Sequence, residues 1–358
     1  MYSVRRRRWL LAAGLAFLAV TMAFAAVHRP LNAKSGVLDD KSRVITDTDE
    51  SSLSAVTWPH QGQAALVLGD GRPAASPHEQ PAAIASLAKV MTAYLTLERY
   101  PLKGSQDGFT VTVSAAEAAA VARARAEGQS VVAVQAGERL AERQLLEALL
   151  IPSGNNIAQI LAVQLAGRES RFISQMNAAA RALGMDHTVY TDPSGFDPGT
   201  VSTAADQLRV FQQAMRFPVF RQIVSMPSVT LPVAGTLMNY NPLILDGYAG
   251  KTGSDSAAGG CLAFFTPEIV GGRQPAAVGV VLGQGHGNDT RALLAAAAQA
   301  AQQLVNSVAL ARMRTIPLPA AAASPGRDAG NHRGARVQTH TIASITPRLG
   351  TDRPAAGG

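Results

Sequence analysis

The stretch PAAIASLAKVMTAYLTLE, residues 81–98, reads as a buried apolar helix carrying one hydroxyl and one amine three residues apart, Ser86 and Lys89. Positions i and i+3 share a helix face, so the two side chains can meet. A buried amine is costly unless it is paired or put to use. A serine hydroxyl is a poor nucleophile until a neighbouring base takes its proton, and an amine serves once burial or a nearby cation lowers its proton affinity. The same pair also fits an ordinary helix surface, so the surrounding sequence has to decide between the two.

The lysine census favours chemistry. The chain has 27 arginines and only five lysines, at 34, 41, 89, 103 and 251. A solvated face accepts either cation, whereas proton transfer needs the one that can be deprotonated. Lys251 stands in AGKTGSD. The Gly250-Lys251-Thr252 run fails as a phosphate-binding loop, because the glycine required five positions earlier is Leu245. Read as a strand, Lys251 and Gly253 share one face and Thr252 the other unless a local twist turns the hydroxyl inward, and the glycines let a substrate backbone approach closely. A third stretch, LLIPSGNNIAQILA, places Ser153 and Asn155 in a tight connection between two apolar helices, where each is also a good helix cap.

The 358 residues, 47% of them hydrophobic, suffice for a sizeable core. The net charge of +7 is mostly peripheral: Arg5 to Arg8 form one run and more arginines lie near the C-terminus, so no nucleic-acid partner is expected. That run precedes the uncharged stretch Trp9–Val27, which reads as an export signal, cleaved after Ala23-Phe24-Ala25 or retained as an anchor. Residues 1–27 are therefore expected to direct export to the outer face of the plasma membrane or the periplasm. Residues 28–57 read as a flexible stalk, 58–310 as the folded domain and 311–358 as a disordered tail rich in Pro, Ala, Gly and Arg. Cys261 is the only cysteine, so the core forms without an internal disulfide. With no His-Glu-x-x-His and no cysteine pair, neither a metal nor another cofactor is expected.

The domain opens with AALVLGDGRPAAS, a hairpin pattern, and FTVTV at 109–113 is a short strand. Ser114 and Glu117 form a capping box. Helical patterning then runs from Leu140 to about Leu183 with breaks at IPSGNN and Gly167. After the turn-rich YTDPSGFDPGT, Ser202–Phe217 returns to helix. SVTLPV, GYAGKTGSD, GGCLAFF and AAVGVVLG follow as strands of an antiparallel meander, and a last helix is capped by Asn288 or Asp289. The expected fold is α/β (α+β): an antiparallel sheet flanked by helices, with an all-helical insert.

Ser-x-x-Lys at 86–89, Ser-Gly-Asn at 153–155 and Lys-Thr-Gly at 251–253 together resemble the three-motif signature of penicillin-binding proteins and serine β-lactamases. ASLAKVMTAY, SGNNIAQILA, FISQMNAAARALGM, STAADQL and GKTGSD narrow the resemblance to the low-molecular-weight D-alanyl-D-alanine carboxypeptidases, over residues 60 to about 305. That likeness implies a β-lactamase/transpeptidase-like fold and a serine carboxypeptidase acting on peptidoglycan stem peptides, with β-lactams as covalent inhibitors. It implies Ser86 as nucleophile, Lys89 as base, and Ser153 as a proton relay to the departing D-alanine. Asn155 would hold substrate amides, Lys251 and Thr252 the terminal carboxylate, and Gly253 the strand backbone beside them. The N–H groups of Ser86 and Ser254 would form an oxyanion hole. The residues after Lys-Thr-Gly, SDSAAGG, depart from the His or Tyr followed by Thr common in that family. Two alternatives use the same pocket: an endopeptidase cutting cross-links, and a non-catalytic penicillin-sensing or wall-binding protein. A class A β-lactamase fits poorly, because Glu169 is the only glutamate between Ser153 and Lys251 and no Glu-x-x-x-Asn loop precedes the third motif.

Overall fold

A computed structural model of the chain describes residues 56–267 and 276–315. The export segment, nearly all of the stalk and the tail beyond 315 lie outside them. Among the described residues no helix is long and apolar enough to cross a membrane.

The sheet is built from β1 (Gln63–Leu68), β2 (Ala74–Ala75), β9 (Ala249–Asp255), β10 (Gly259–Thr266) and β11 (Ala277–Gln284). Its order is β2-β1-β11-β10-β9, and every pairing is antiparallel. The expected hairpin is β1–β2 and the expected meander is β9–β10–β11. All six residues of β1 are buried, which is why it reads as a continuous apolar run rather than an alternating one. Alternation still divides its side chains between two cores. Ala64, Leu66 and Leu68 pack with Ala297, Ala301, Leu304 and Val308 of the C-terminal helix α8 (Thr290–Thr315), while Ala65 and Val67 belong to the core shared with the helical insert.

The insert comprises α1 (Ala88–Arg99), α2 (Ala115–Ala126), α3 (Glu142–Leu150), α4 (Asn155–Ala166) and α5 (Glu169–Ala182). It also holds the small ladder of β4 (Thr110–Thr112) with β5 (Arg139–Ala141). The capping box of α2 forms as the sequence implies, with Ser114 and Glu117 exchanging bonds. Helix α6 (Ala204–Ala214) starts at Thr203, whose hydroxyl accepts from the Asp206 N–H, and packs on β1 and β11 opposite α8. Asp289 rather than Asn288 opens α8, accepting from the Arg291 and Ala292 N–H groups.

SVTLPV does not join the meander. It forms β7 (Ser228–Leu231), which pairs only with β8 (Gly235–Met238) in a separate hairpin after α7 (Pro218–Val224). The sheet edge at β9 thereby stays open toward the insert. β3 (Ala82–Ala83) and β6 (Val201–Ser202) form a two-residue ladder that ties the start of the 81–98 stretch to the 191–200 loop.

Candidate active site

Ser86 sits in a 3-10 turn, Ala85–Leu87, that leads directly into α1, and Lys89 is in the first turn of that helix. The preceding Ala85 is held at φ 44°, a left-handed conformation that costs a non-glycine residue roughly 1–3 kcal/mol. Lys89 is fully buried, and its Nζ lies 2.8 Å from Ser86 Oγ. The same nitrogen donates to Asn155 Oδ1 at 2.7 Å and to the Ser194 carbonyl at 2.9 Å. Those two acceptors never donate, so in a neutral amine they take both N–H bonds and leave the lone pair facing Ser86. Burial holds Lys89 well below the ordinary lysine value of 10.5; the charge of Lys251 pushes the same way, and Asp192 opposes it. A hydroxyl and an amine are thus adjacent, with burial disfavouring the amine's charged form.

Ser153 and Asn155 are not helix caps. Gly154 occupies the N-cap position of α4 without a side-chain cap bond, and Ser153 is left-handed at φ 63°. This twist turns Ser153 Oγ toward the sheet, where Lys251 Nζ donates to it at 3.0 Å. Asn155, at the first position of α4, spends Oδ1 on Lys89 and donates through Nδ2 to Gln129 Oε1 at 3.1 Å. Its backbone N–H donates to the Ser130 carbonyl. Asn156 grips both backbone groups of Val132, so the 129–132 segment is clipped along α4 as one wall of the site.

The facing wall is β9. Lys251 is 1% exposed, and burial pulls it down to about 7. It also donates to the Thr252 carbonyl at 2.7 Å. Strict alternation would send Thr252 away from the site. Because β9 is an edge strand and the cavity runs along that edge, Thr252, Gly253 and Ser254 all line it. Gly253 is required by contact: a Cβ there would lie 3.0 Å from the Ile84 carbonyl oxygen, the Ser86 nitrogen and Leu87 Cδ1. The strand and the turn bearing Ser86 are in direct backbone apposition.

Between the walls lies a cavity of about 280 Å³ lined by Ser86, Ser130, Ser153, Thr252 and Ser254 together with Tyr240, Thr290 and Leu294. The larger depressions, one of about 510 Å³ beside α6 and β2 and another of about 530 Å³ beside Phe109, contain none of these residues. Sequence reading did not single out Gln129, Ser130, Tyr240, Thr290, Leu294, Asp192 or Ser194. The one local signal was Asp192 followed two positions later by Ser194, a turn-forming pattern. Asp255 accepts from the Ala257 and Ala258 N–H groups and closes the β9–β10 turn. Among the described residues no group of three or more His, Cys, Asp or Glu side chains could hold a metal ion.

A hydroxyl next to a buried amine, a second serine bridging to a second buried lysine, and a strand edge along one wall suit nucleophilic attack on a carbonyl with a carboxylate held at the far end. Comparison with known proteins agrees. D-alanyl-D-alanine carboxypeptidase DacB2 of Mycobacterium tuberculosis is 36% identical over 183 residues, covering 49% of this chain and 58% of that protein. A D-alanyl-D-alanine endopeptidase of Escherichia coli is 30% identical over 198 residues, covering 51% and 59%. The chain therefore spans somewhat over half the length of these relatives. The crystal structure of the Streptomyces K15 DD-transpeptidase superposes with a TM-score of 0.59 at 25% identity, covering 71% of this chain and 99% of that one. The sequence profile for D-alanyl-D-alanine carboxypeptidases matches residues 74–284, most of the described fold and all three motifs, and the chain belongs to that family.

Proposed function

We propose that the protein is a serine D-alanyl-D-alanine carboxypeptidase, removing the terminal D-alanine of peptidoglycan stem pentapeptides through an acyl-enzyme on Ser86. The observation that carries this reading is the buried Lys89 amine, 2.8 Å from Ser86 Oγ and with the Asn155 Oδ1 and Ser194 carbonyl oxygens as its other partners. Ser86 Oγ attacks the penultimate carbonyl while its proton passes to Lys89. The developing oxyanion is received by the Ser86 and Ser254 N–H groups, a type of contact worth roughly 10²–10³ in rate per donor. The C–N bond breaks as Ser153, bridged to Lys251, relays the proton taken up by Lys89 to the departing D-alanine nitrogen, leaving Lys89 neutral again. Water then cleaves the ester, returning Ser86.

Lys251 and Thr252 hold the terminal carboxylate. With Lys251 near 7, an arriving carboxylate raises its proton affinity and secures the cation in the complex. The Lys251 cation disfavours protonation of Lys89. β-Lactams acylate Ser86 by the same attack. Export follows from Arg5–Arg8 and the apolar stretch after them, with the catalytic domain facing the wall and the N-terminal segment as any membrane attachment.

Relatives of Pseudomonas aeruginosa and E. coli are named D-alanyl-D-alanine endopeptidases, which favours cleavage of cross-links as the second reading. Incubating the protein with a D-Ala-D-Ala pentapeptide and with a cross-linked dimer, and weighing the products, separates the two. Free D-alanine from the pentapeptide is the expected result. Monomers from the dimer with intact pentapeptide would establish the endopeptidase. Neither product, with no adduct from a fluorescent penicillin, would leave a non-catalytic protein.

A further inference from the structure

The Ser194 carbonyl that orients Lys89 belongs to a loop, Thr191–Thr200, whose internal bonds centre on one side chain, with Thr200 and Asp197 adding others. Asp192 accepts five hydrogen bonds. Oδ2 takes the Ser194 N–H at 3.1 Å, the Ser194 hydroxyl at 2.6 Å and the Phe196 N–H at 3.0 Å; Oδ1 takes the Gly195 N–H at 3.0 Å and the Thr200 hydroxyl at 2.8 Å. The loop so folded grips the nucleophile's helix at three consecutive residues. The Pro193 carbonyl accepts from the Thr92 hydroxyl at 2.7 Å, and the Ser194 carbonyl accepts from Lys89. Gly195, at φ 78°, lies so close that a Cβ would stand 1.8 Å from the Ala85 carbonyl oxygen.

We propose that Asp192 is a positioning residue for the general base: by folding its loop it fixes the Ser194 carbonyl, and through that acceptor it aims the Lys89 lone pair at Ser86. The inference rests on the proposed acylation of Ser86 by way of Lys89. Asp192 also acts on Lys89 by charge, favouring the ammonium against burial and Lys251. Asp192 also raises the proton affinity of Glu169 of α5. Position and charge therefore work in opposite directions on the base, which gives the pair a recognisable signature.

The test is acylation of the full chain by a fluorescent penicillin, measured against pH, beside D-alanine release and thermal unfolding. Asp192→Asn keeps the size but places an NH₂ against donors. It is expected to lower the plateau acylation rate by about 10-fold or more, since an ångström of misplacement costs on the order of 10²-fold, with KM for the pentapeptide little changed. Its acid limb moves to lower pH, because the charge opposing Lys89 deprotonation is gone. Ser194→Ala keeps the charge and the carbonyl but loses the hydroxyl's two bonds, to Asp192 and from the Phe196 N–H, so it slows acylation without moving the limb. An Asp192→Asn protein whose limb does not move, or whose rate falls only with its folded fraction, overturns the proposal. If Asp192→Asn does not fold, Ser194→Ala decides: acylation at the parental rate overturns it. Absence of acylation in the parent would instead remove the underlying function.

Discussion

Gly253→Ala perturbs the site through one methyl group, and its consequence follows from three distances. The new Cβ would meet the Ile84 oxygen, the Ser86 nitrogen and Leu87 Cδ1, each at 3.0 Å. Ordinary contact begins at about 3.4 Å, so each is short by about 0.4 Å. Leu87 can rotate away. The other two are backbone atoms of the turn bearing Ser86, so relief requires β9 and that turn to separate. If an ångström of misplacement costs on the order of 10²-fold, this separation costs about 6-fold to 10-fold in acylation. Overpacking of this kind also costs roughly 1–3 kcal/mol in stability, which a domain of this size tolerates. The assay is single-turnover acylation by a labelled penicillin, normalised to folded protein by thermal unfolding. Gly69→Ala is the control, as a Cβ at Gly69 meets nothing within 4 Å, although its φ of 51° carries backbone strain of its own. Folded Gly253→Ala acylating at the parental rate would show that strand and turn are not held in the register described.

Three further outcomes are expected. Lys89→Arg keeps a cation that cannot accept the serine proton, so acylation should fall by roughly 10²–10⁴-fold; the exposed Lys103→Arg should be harmless. Lys251→Ala should weaken turnover of the free acid far more than of a C-terminal amide, and should move the acid limb of acylation to higher pH, because a charge that lowers Lys89 is removed. Glu142, 1% exposed, is pushed up to about 7 by burial from an ordinary 4.5. Its folded-state value lies above its unfolded one, so the folded protein binds the extra proton and stability declines as pH rises from about 4.5 to 7. Glu142→Gln should flatten that slope in denaturant titrations at pH 4.5, 6 and 7.5.

The three motifs were legible because each places an unusual residue type in an apolar setting: lysine in an arginine-rich chain at 89 and 251, and a Ser-Gly-Asn break between helices at 153–155. The β1–β2 hairpin and the capping box of α2 were equally local properties, carried by a few adjacent residues. What was not legible depends on segments distant in sequence. The direction of the Lys89 lone pair is set by Asn155 and Ser194, 66 and 105 residues away. The left-handed backbone at Ala85 and Ser153 cannot be read from residue types that ordinarily avoid it. β7 and β8 carry the same strand pattern as the meander, and only the tertiary fold separates them from the sheet. Strict alternation misplaced Thr252 because it assumes a two-faced strand, whereas the cavity lies along the edge of β9.

The central claim is that Lys89 is a neutral amine when Ser86 reacts, and its titration tests this most directly. Five lysines make the experiment tractable. Isotope-labelled lysine Nζ resonances, assigned with Lys89→Arg and Lys251→Ala, can be followed by NMR beside acylation rates on the same samples. The account predicts that Lys89 loses its proton well below 10.5, and that the acid limb of acylation coincides with this loss. A Lys89 resonance that stays protonated up to the ordinary lysine range, in a protein already acylating at its full rate, would contradict it.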